Sequence, residues 1–226
     1  MSTRSHERKG AAPANNRRGL SLGIKVAAAV VAAVAVLAII YFANERGAAA
    51  SSNGLAGRYP VEVGNPGPGE AAPPIELPST DGGTFNLASL QGETVLLYFQ
   101  EGVMCQPCWD QLKDIEQLWD RFEALGIDRI VSITTDPIDV LKQKVAIEGL
   151  DTVQLSDPNL EVSSAYTTNQ YGMMGDSYNG HSFILVGPDG EIQWRADYGG
   201  APEYTMYLPV PNLLADLQQG RTEATN

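Results

Sequence analysis

Residues Thr94 to Phe99 form a continuous apolar run, the pattern of a strand buried on both faces. After five further residues, Cys105-Gln106-Pro107-Cys108 opens a series at helical spacing that continues through Trp109, Leu112, Ile115, Leu118, Trp119, Phe122 and Leu125. A buried strand that hands over to an amphipathic helix through a CxxC fixes where the thiols lie. Cys105 falls on the first turn of the helix, facing unpaired backbone N–H groups and the positive end of the helix dipole. Both favour the thiolate and lower a thiol pKa from about 8.5 into the range ~3.5–7.5. Cys108 lies one turn deeper on the same face and can attack a mixed disulfide formed by Cys105. Pro107 lacks an N–H and fits the first turn, where no helix bond is lost. The expectation is thiol–disulfide exchange, with Cys105 attacking, Cys108 resolving and the pair cycling through a redox-active disulfide.

Bland readings of the same pair are weaker. A bridge closing so short a loop removes little chain entropy and makes a poor staple. A zinc site needs four ligands, and the chain holds only these two cysteines with His6 and His181.

The surrounding sequence alternates between strand-like and helix-like segments, which points to an α/β domain over residues 73–219. Ile75–Leu77 and Thr84–Leu87 flank the turn Asp81-Gly82-Gly83, a short opening β-element. Arg129–Thr134 reads as a second buried strand. Asp136-Pro137 and Ser156-Asp157-Pro158 each supply an N-cap and an early proline for a following helix. Phe183–Val186 and Ile192–Trp194 flank Gly187-Pro188-Asp189-Gly190, a hairpin turn, and Leu213–Leu217 closes the domain with a short helix. Parallel strands joined by helices and ending in a hairpin describe a thioredoxin-like fold, a central mixed sheet flanked by helices.

Charge is divided along the chain. The net charge of −12 hides a basic segment, residues 1–25, with six bases and one acid, so the remainder carries −17. That balance argues against nucleic acid as a partner. Directly after it, Val26 to Ala43 gives eighteen residues without a charge or proline. As a helix they span ~27 Å, close to the ~30 Å hydrocarbon core of a bilayer. A cleavable signal ending at Ala48-Ala49-Ala50 competes with an uncleaved anchor. The long basic region and long apolar run favour the anchor, a transmembrane helix over residues 26–43. The basic tail then stays in the cytoplasm, placing the remainder in an extracytoplasmic space where disulfides persist. Residues 44–72, rich in Gly, Pro, Ser and Ala, read as a flexible linker, and residues 220–226 as a frayed tail. The expected partners are protein dithiols or disulfides outside the cytoplasm, a redox partner in or near the membrane, and the lipid bilayer through the anchor. The high Ala and Gly content is compatible with a GC-rich bacterial genome.

Several motifs together, Pro73-Pro74-Ile75-Glu76-Leu77, Asp81-Gly82-Gly83, Val95–Phe99, the CxxC, Leu155-Ser156-Asp157-Pro158 and Phe183–Gly190, resemble the AhpC/TSA (redoxin) branch of the thioredoxin superfamily, including its membrane-anchored extracytoplasmic thioredoxin-like proteins. The resemblance covers about Ala72 to Gln219 and implies a thioredoxin-like fold with Cys105 as the reactive thiol. It also implies a second activity, reduction of peroxide as a peroxiredoxin-like antioxidant, with Cys108 resolving the sulfenic acid. This chain departs from the family at defined places. Where peroxidatic members carry Pro and Thr, seven and three residues before the reactive Cys, it has Tyr98 and Gly102. Thioredoxins place Trp just before the first Cys, and here Met104 stands there.

His181 falls where thioredoxins place a cis-proline and peroxidases an arginine. Facing Cys105, it would stabilise the thiolate as imidazolium or carry a proton to the leaving thiol; otherwise it is a hydrogen-bonded hairpin histidine. A third reading joins His181 to Cys105 and Cys108, with Met173 or Met174, as ligands for copper. That set is similar to the copper chaperones of cytochrome oxidase assembly, although those space their cysteines CxxxC. Outside that reading the chemistry calls for no cofactor beyond the cysteine pair. Tyr198, Tyr204 and Tyr207 are either groove-lining residues or buried tyrosines with satisfied hydroxyls.

Overall fold

A computed structural model describes residues 30–32, 34–36 and 54–224, and the chain divides into two units, Met1–Ala48 and Ala49–Asn226. In the first unit the described residues are helical, with Val30, Val31, Val34 and Val36 exposed. The rest of the expected anchor over residues 26–43 and the basic tail lie outside the described residues. Among the described residues no helix is long and apolar enough to cross a membrane.

The second unit is built on a five-stranded mixed sheet of order β5-β4-β3-β6-β7, where β3 is Val95–Phe99, β4 Arg129–Thr134, β5 Val153–Ser156, β6 Ser182–Val186 and β7 Ile192–Asp197. The pairs β3/β4 and β4/β5 are parallel, whereas β3/β6 and β6/β7 are antiparallel. A two-stranded hairpin, β1 (Glu76–Pro78) with β2 (Thr84–Asn86), precedes the sheet. The helices are α1 (Gln106–Gln117), α2 (Trp119–Glu123), α3 (Ile138–Glu148), α4 (Glu161–Ala165) and α5 (Val210–Ala224). This is the expected thioredoxin-like arrangement.

The apolar run of β3 is explained by its central position, since every one of its residues is buried. Alternation along the strand sends Leu96 and Tyr98 into one core with α1, α2 and α5, and Val95, Leu97 and Phe99 into a second core on the opposite face.

Three expectations are corrected by the structure. The apolar series after the CxxC is carried by two helices, because Leu118 leaves the helical region at φ −117° and ψ 22°. Asp136 does not cap α3, whose N-cap is Pro137 without a side-chain bond. Its carboxylate instead accepts the Val103 N–H at 2.9 Å, in the loop before Cys105. Asp157 does serve α4, accepting the Glu161 N–H at 3.0 Å and the Ser163 N–H at 2.7 Å. The closing helix runs through Gly220 to Ala224 rather than stopping near Leu217, so residues 220–224 are not a frayed tail. Gly220 is there for close approach, since a Cβ would stand 2.3 Å from the Trp194 ring.

The linker read over residues 44–72 also differs in its described part, which is laid along β7. Glu62 and Asp197 exchange backbone bonds of 3.0 and 2.9 Å, and Gly69 and Glu70 bond to the backbone of Ile192. The strap is locked by a fully buried ion pair. Arg195 bonds Asp197 at 2.8 Å and donates to the Pro66 carbonyl at 3.0 Å, while Asp197 accepts the Gly64 N–H at 2.8 Å. Composition marks such a segment as unable to fold alone, but a sheet edge with unpaired backbone groups orders it.

Helices α1 and α3 are joined by Glu148, which accepts from both Lys113 and Lys144. The hydrogen bonds, Lys113's first, pull the Glu148 carboxyl from 4.5 to about 2. A depressed carboxyl pKa stabilises the fold above its unfolded value, and the gain is lost as pH falls from about 4.5 to about 2. Glu148→Gln should therefore melt below the parent at pH 6, with the difference closing by pH 2 in thermal denaturation at both values. Gly102 adopts φ +97°, and a Cβ added there would stand 1.9 Å from the Asp136 carboxylate. Gly102→Ala should cost on the order of 2 kcal/mol or more in denaturant unfolding.

Candidate functional site

The site forms where β3 ends. Its last residues release the chain into a loop, Gln100 to Met104, which delivers Cys105 to the N-cap of α1. Cys105 and Cys108 are joined as a disulfide, with Cα atoms 5.4 Å apart. Cys105 is 8% exposed and Cys108 fully buried, so a substrate coming from solvent meets Cys105 first. Pro107 lies in the first turn of the helix, as expected.

The loop is braced from beneath. The Gly102 N–H donates to Gln100 Oε1 at 3.1 Å, and the Gly102 carbonyl accepts from the Cys105 N–H and the Trp109 ring N–H, both at 3.0 Å. Asp136 Oδ2, which takes the Val103 N–H, also accepts the Thr134 hydroxyl at 3.1 Å. Any side chain at position 102 would displace that carboxylate. The glycine found in place of the family's threonine is thus required by Asp136.

Tyr98, in place of the family's proline, is buried beneath the cystine with its hydroxyl 3.5 Å from the Cys108 carbonyl. Burial first, and the nearby Glu101 carboxylate second, raise its pKa well above the usual tyrosine value. Its ring stacks on Phe183, with centroids 4.4 Å apart, and lies 5.1 Å from the His181 ring.

His181 is fully buried among Tyr98, Phe183 and Tyr198. Neither ring nitrogen has a partner at hydrogen-bond geometry; the Met206 backbone exerts only a weak upward pull on the ring's pKa. Desolvation dominates and lowers that pKa to about 3. Burial thus favours the neutral ring at pH 7 over the imidazolium considered for it. Among the described residues, with the cysteines oxidised, no group of three or more His, Cys, Asp or Glu side chains is placed to hold a metal. His6 lies outside the described residues.

Glu101 and Asp136 are site residues that sequence reasoning misses. A carboxylate so soon after a fully apolar strand is the signal that marks Glu101. It is 8% exposed, accepts the Met173 N–H at 2.9 Å, and bonds the Met174 backbone as well. Burial raises its pKa despite those two bonds. Met104, Met173 and Met174 are exposed. Of the three tyrosines, Tyr198 and Tyr207 bond to Asp216 and Asp114, whereas Tyr204 is exposed. A cavity of about 410 Å³ between the strap and β7, lined by Val61, Trp194 and Asp216, is bordered by neither cysteine.

Comparison with known proteins agrees with this arrangement. The AhpC/TSA family profile matches residues 68–195. Peroxiredoxin Bcp of Escherichia coli is 31% identical over 128 residues, which cover 55% of this chain and 81% of that protein. Among solved structures, peroxidoxin BcpB of Mycobacterium tuberculosis superposes with a TM-score of 0.55 at 20% identity, covering 68% of this chain and 97% of that one. AhpC of Enterococcus faecalis gives 0.58 at 14% identity, over 70% and 95% of the two chains. The structural likenesses establish the fold. With a buried-strand-to-helix CxxC at its centre and most of its folded domain matched, this chain belongs to the AhpC/TSA family and is a thiol-based redox enzyme of the peroxiredoxin/thioredoxin-like kind.

Proposed function

We propose that the chain is a thiol peroxidase, in which Cys105 attacks the peroxide and Cys108 resolves. The observation that carries this reading is the pairing of the more accessible Cys105 with a buried Cys108 in one disulfide, in a chain 31% identical to a peroxiredoxin. The Cys105 thiolate attacks one peroxide oxygen, the O–O bond breaks, and water or an alcohol leaves with a proton, producing Cys105 sulfenic acid. Cys108 then displaces water from that sulfur and forms the disulfide, which an external dithiol reduces. The sequence alone ranks disulfide exchange above peroxide reduction, and the peroxiredoxin relatives reverse that order.

Disulfide exchange with a protein substrate is the second reading. Its support is that Tyr98 and Gly102 put neither a proline nor a hydroxyl where peroxidatic members place them. Both readings use Cys105 and Cys108 alike, with auxiliary roles for Pro107, which closes the first turn without an N–H, and for His181, whose neutral ring offers one acceptor nitrogen. A copper-binding chaperone using Cys105, Cys108 and His181 is a third, with reduction of the cystine as its precondition. We also propose that the domain is held at the outer face of a membrane, on the strength of the basic residues 1–25 and the apolar run of 26–43.

The reduced 226-residue chain should consume hydrogen peroxide orders of magnitude faster than free cysteine and accumulate the Cys105–Cys108 disulfide. Cys105→Ser should abolish this, and Cys108→Ser should stop at a sulfenic acid on Cys105 that a 1,3-dione traps. A rate equal to that of an unactivated thiolate assigns the pair to disulfide exchange instead.

His181 generates a pH test. Its folded pKa of about 3 lies below the ordinary 6.5, so the unfolded chain takes up a proton that the folded ring refuses. Stability is complete above about 6.5 and falls as pH drops toward about 3. His181→Phe should hold its stability at pH 7 and lose less of it at pH 4 than the parent, read from denaturant midpoints at the two values.

A further inference from the structure

Cys108 changes charge in each redox cycle at a place that solvent does not reach. It is fully buried, and its sulfur leaves as a thiolate when the disulfide is reduced and attacks as a thiolate when the disulfide re-forms. Burial opposes a thiolate unless a hydrogen-bond donor meets it. The residues around Cys108 hold an unusual share of unused polar atoms. Among the described residues five buried side-chain polar atoms lack a partner, and three of the five belong to Gln111 and His181.

Gln111 follows Cys108 by one turn on the same face of α1 and is fully buried. Its Oε1 accepts the Leu208 N–H at 2.9 Å, which fixes the amide and assigns the unpartnered atom as the Nε2 donor. His181 meets the same segment from the start of β6, with its ring beside the Met206 backbone. An upward pull on the ring's pKa is that of an acceptor, so the imidazole N–H is turned toward Met206 and the other nitrogen is left to accept. The third group is the Tyr98 hydroxyl. It lies 3.5 Å from the Cys108 carbonyl, too long for a full bond, and the Tyr98 and His181 ring centroids are 5.1 Å apart. A donor amide, a weakly used hydroxyl and an acceptor nitrogen thus converge beneath Cys108 from α1, β3 and β6. Such a set calls for a very small ligand that both accepts and donates. Water meets these terms, and a buried water makes about three bonds to protein.

We propose that Gln111, Tyr98 and His181 bind one internal water, and that this water donates a hydrogen bond to the Cys108 sulfur whenever that sulfur is a thiolate. The water accepts from the Gln111 Nε2–H and the Tyr98 O–H and donates to the acceptor nitrogen of His181, which leaves its second O–H for the sulfur. No proton is transferred in this role. As an external thiolate attacks Cys105 Sγ, the Cys105–Cys108 bond breaks, its electron pair passes to Cys108 Sγ, and the water stabilises the charge that appears there. In the opposite direction the same hydrogen bond supports the Cys108 thiolate that attacks an oxidised Cys105. The inference rests on the redox reading only in that Cys108 passes through a thiolate, which peroxide reduction and disulfide exchange share.

The test mixes the reduced full chain with dithiobis(nitrobenzoate) across a range of pH. Cys105 displaces one thionitrobenzoate and becomes a mixed disulfide, and Cys108 then displaces the second, so two phases of absorbance report the two thiolates in turn. His181→Phe, which keeps the bulk of the ring, and Tyr98→Phe, which removes only the hydroxyl, should each raise the midpoint of the second phase by about one pH unit. At neutral pH that phase should slow about tenfold, the size of one charge-assisted hydrogen bond at its weaker end. The first phase should keep its midpoint. An unshifted second phase, or an equal shift in both phases, would overturn the proposal. A direct measurement on the unmodified sequence stands beside the variants, in case either fails to fold. In the oxidised, 15N-labelled full chain, the Gln111 side-chain amide protons should show a rotating-frame cross-peak to water that is lost in His181→Phe. A Gln111 amide without that cross-peak in the parent overturns the proposal as well. Consumption of hydrogen peroxide reports on the peroxidase reading separately, since the two phases need no peroxide.

Discussion

Complete burial of β3 on both faces is the constraint on which the rest depends. A strand with all five residues inside must be paired along both edges and covered above and below, which commits the chain to β4 on one side, β6 on the other and helices on both faces. Each large side chain so buried contributes about 1.5–3 kcal/mol, and only an ordered backbone collects that contribution. The active loop inherits this order. It begins at Gln100, whose N–H still bonds the Ile133 carbonyl at 3.1 Å, so Cys105 lies only five residues from the hydrogen-bonded sheet.

What was legible in the sequence was what is local. The apolar run of β3, the thiols on a first helical turn and the Gly187–Gly190 hairpin each depend on neighbours within a few residues, and each is present. What was not legible depends on a partner far along the chain. Asp136 has the composition of an N-cap, yet Val103, thirty-three residues away, takes its carboxylate. The Gly- and Pro-rich strap looks unable to order itself, and on its own that holds; the edge of β7 and the guanidinium of Arg195 supply what it lacks. Gly220 looks like a terminator because its close neighbour is Trp194, on a different strand. The CxxC was visible as a site for the opposite reason, since its chemistry is written in two residues one turn apart.

The same distinction separates the two carboxylates nearest the disulfide. Asp136 acts on backbone shape, holding a turn that a side chain at Gly102 would break. Glu101 acts between loops, and its raised pKa records the cost of burying a carboxylate that only two backbone N–H groups offset. A charge kept in so unfavourable a position argues for a task there, because an apolar residue of similar size would fill the space at lower cost.

The charged side chains around the site are mostly engaged with one another. His181 is neutral, because desolvation outweighs the pull of the Met206 backbone. Arg195 is closed against Asp197, and Lys113 and Lys144 are both engaged with Glu148. Glu101 adds negative charge near the site, which opposes a thiolate. A favourable influence is the amino end of α1, a helix of twelve residues with Cys105 as its N-cap. Backbone position is thereby part of what makes Cys105 reactive. This explains why so much of the surrounding polar structure, from Gln100 to Asp136, is given over to fixing where the helix begins.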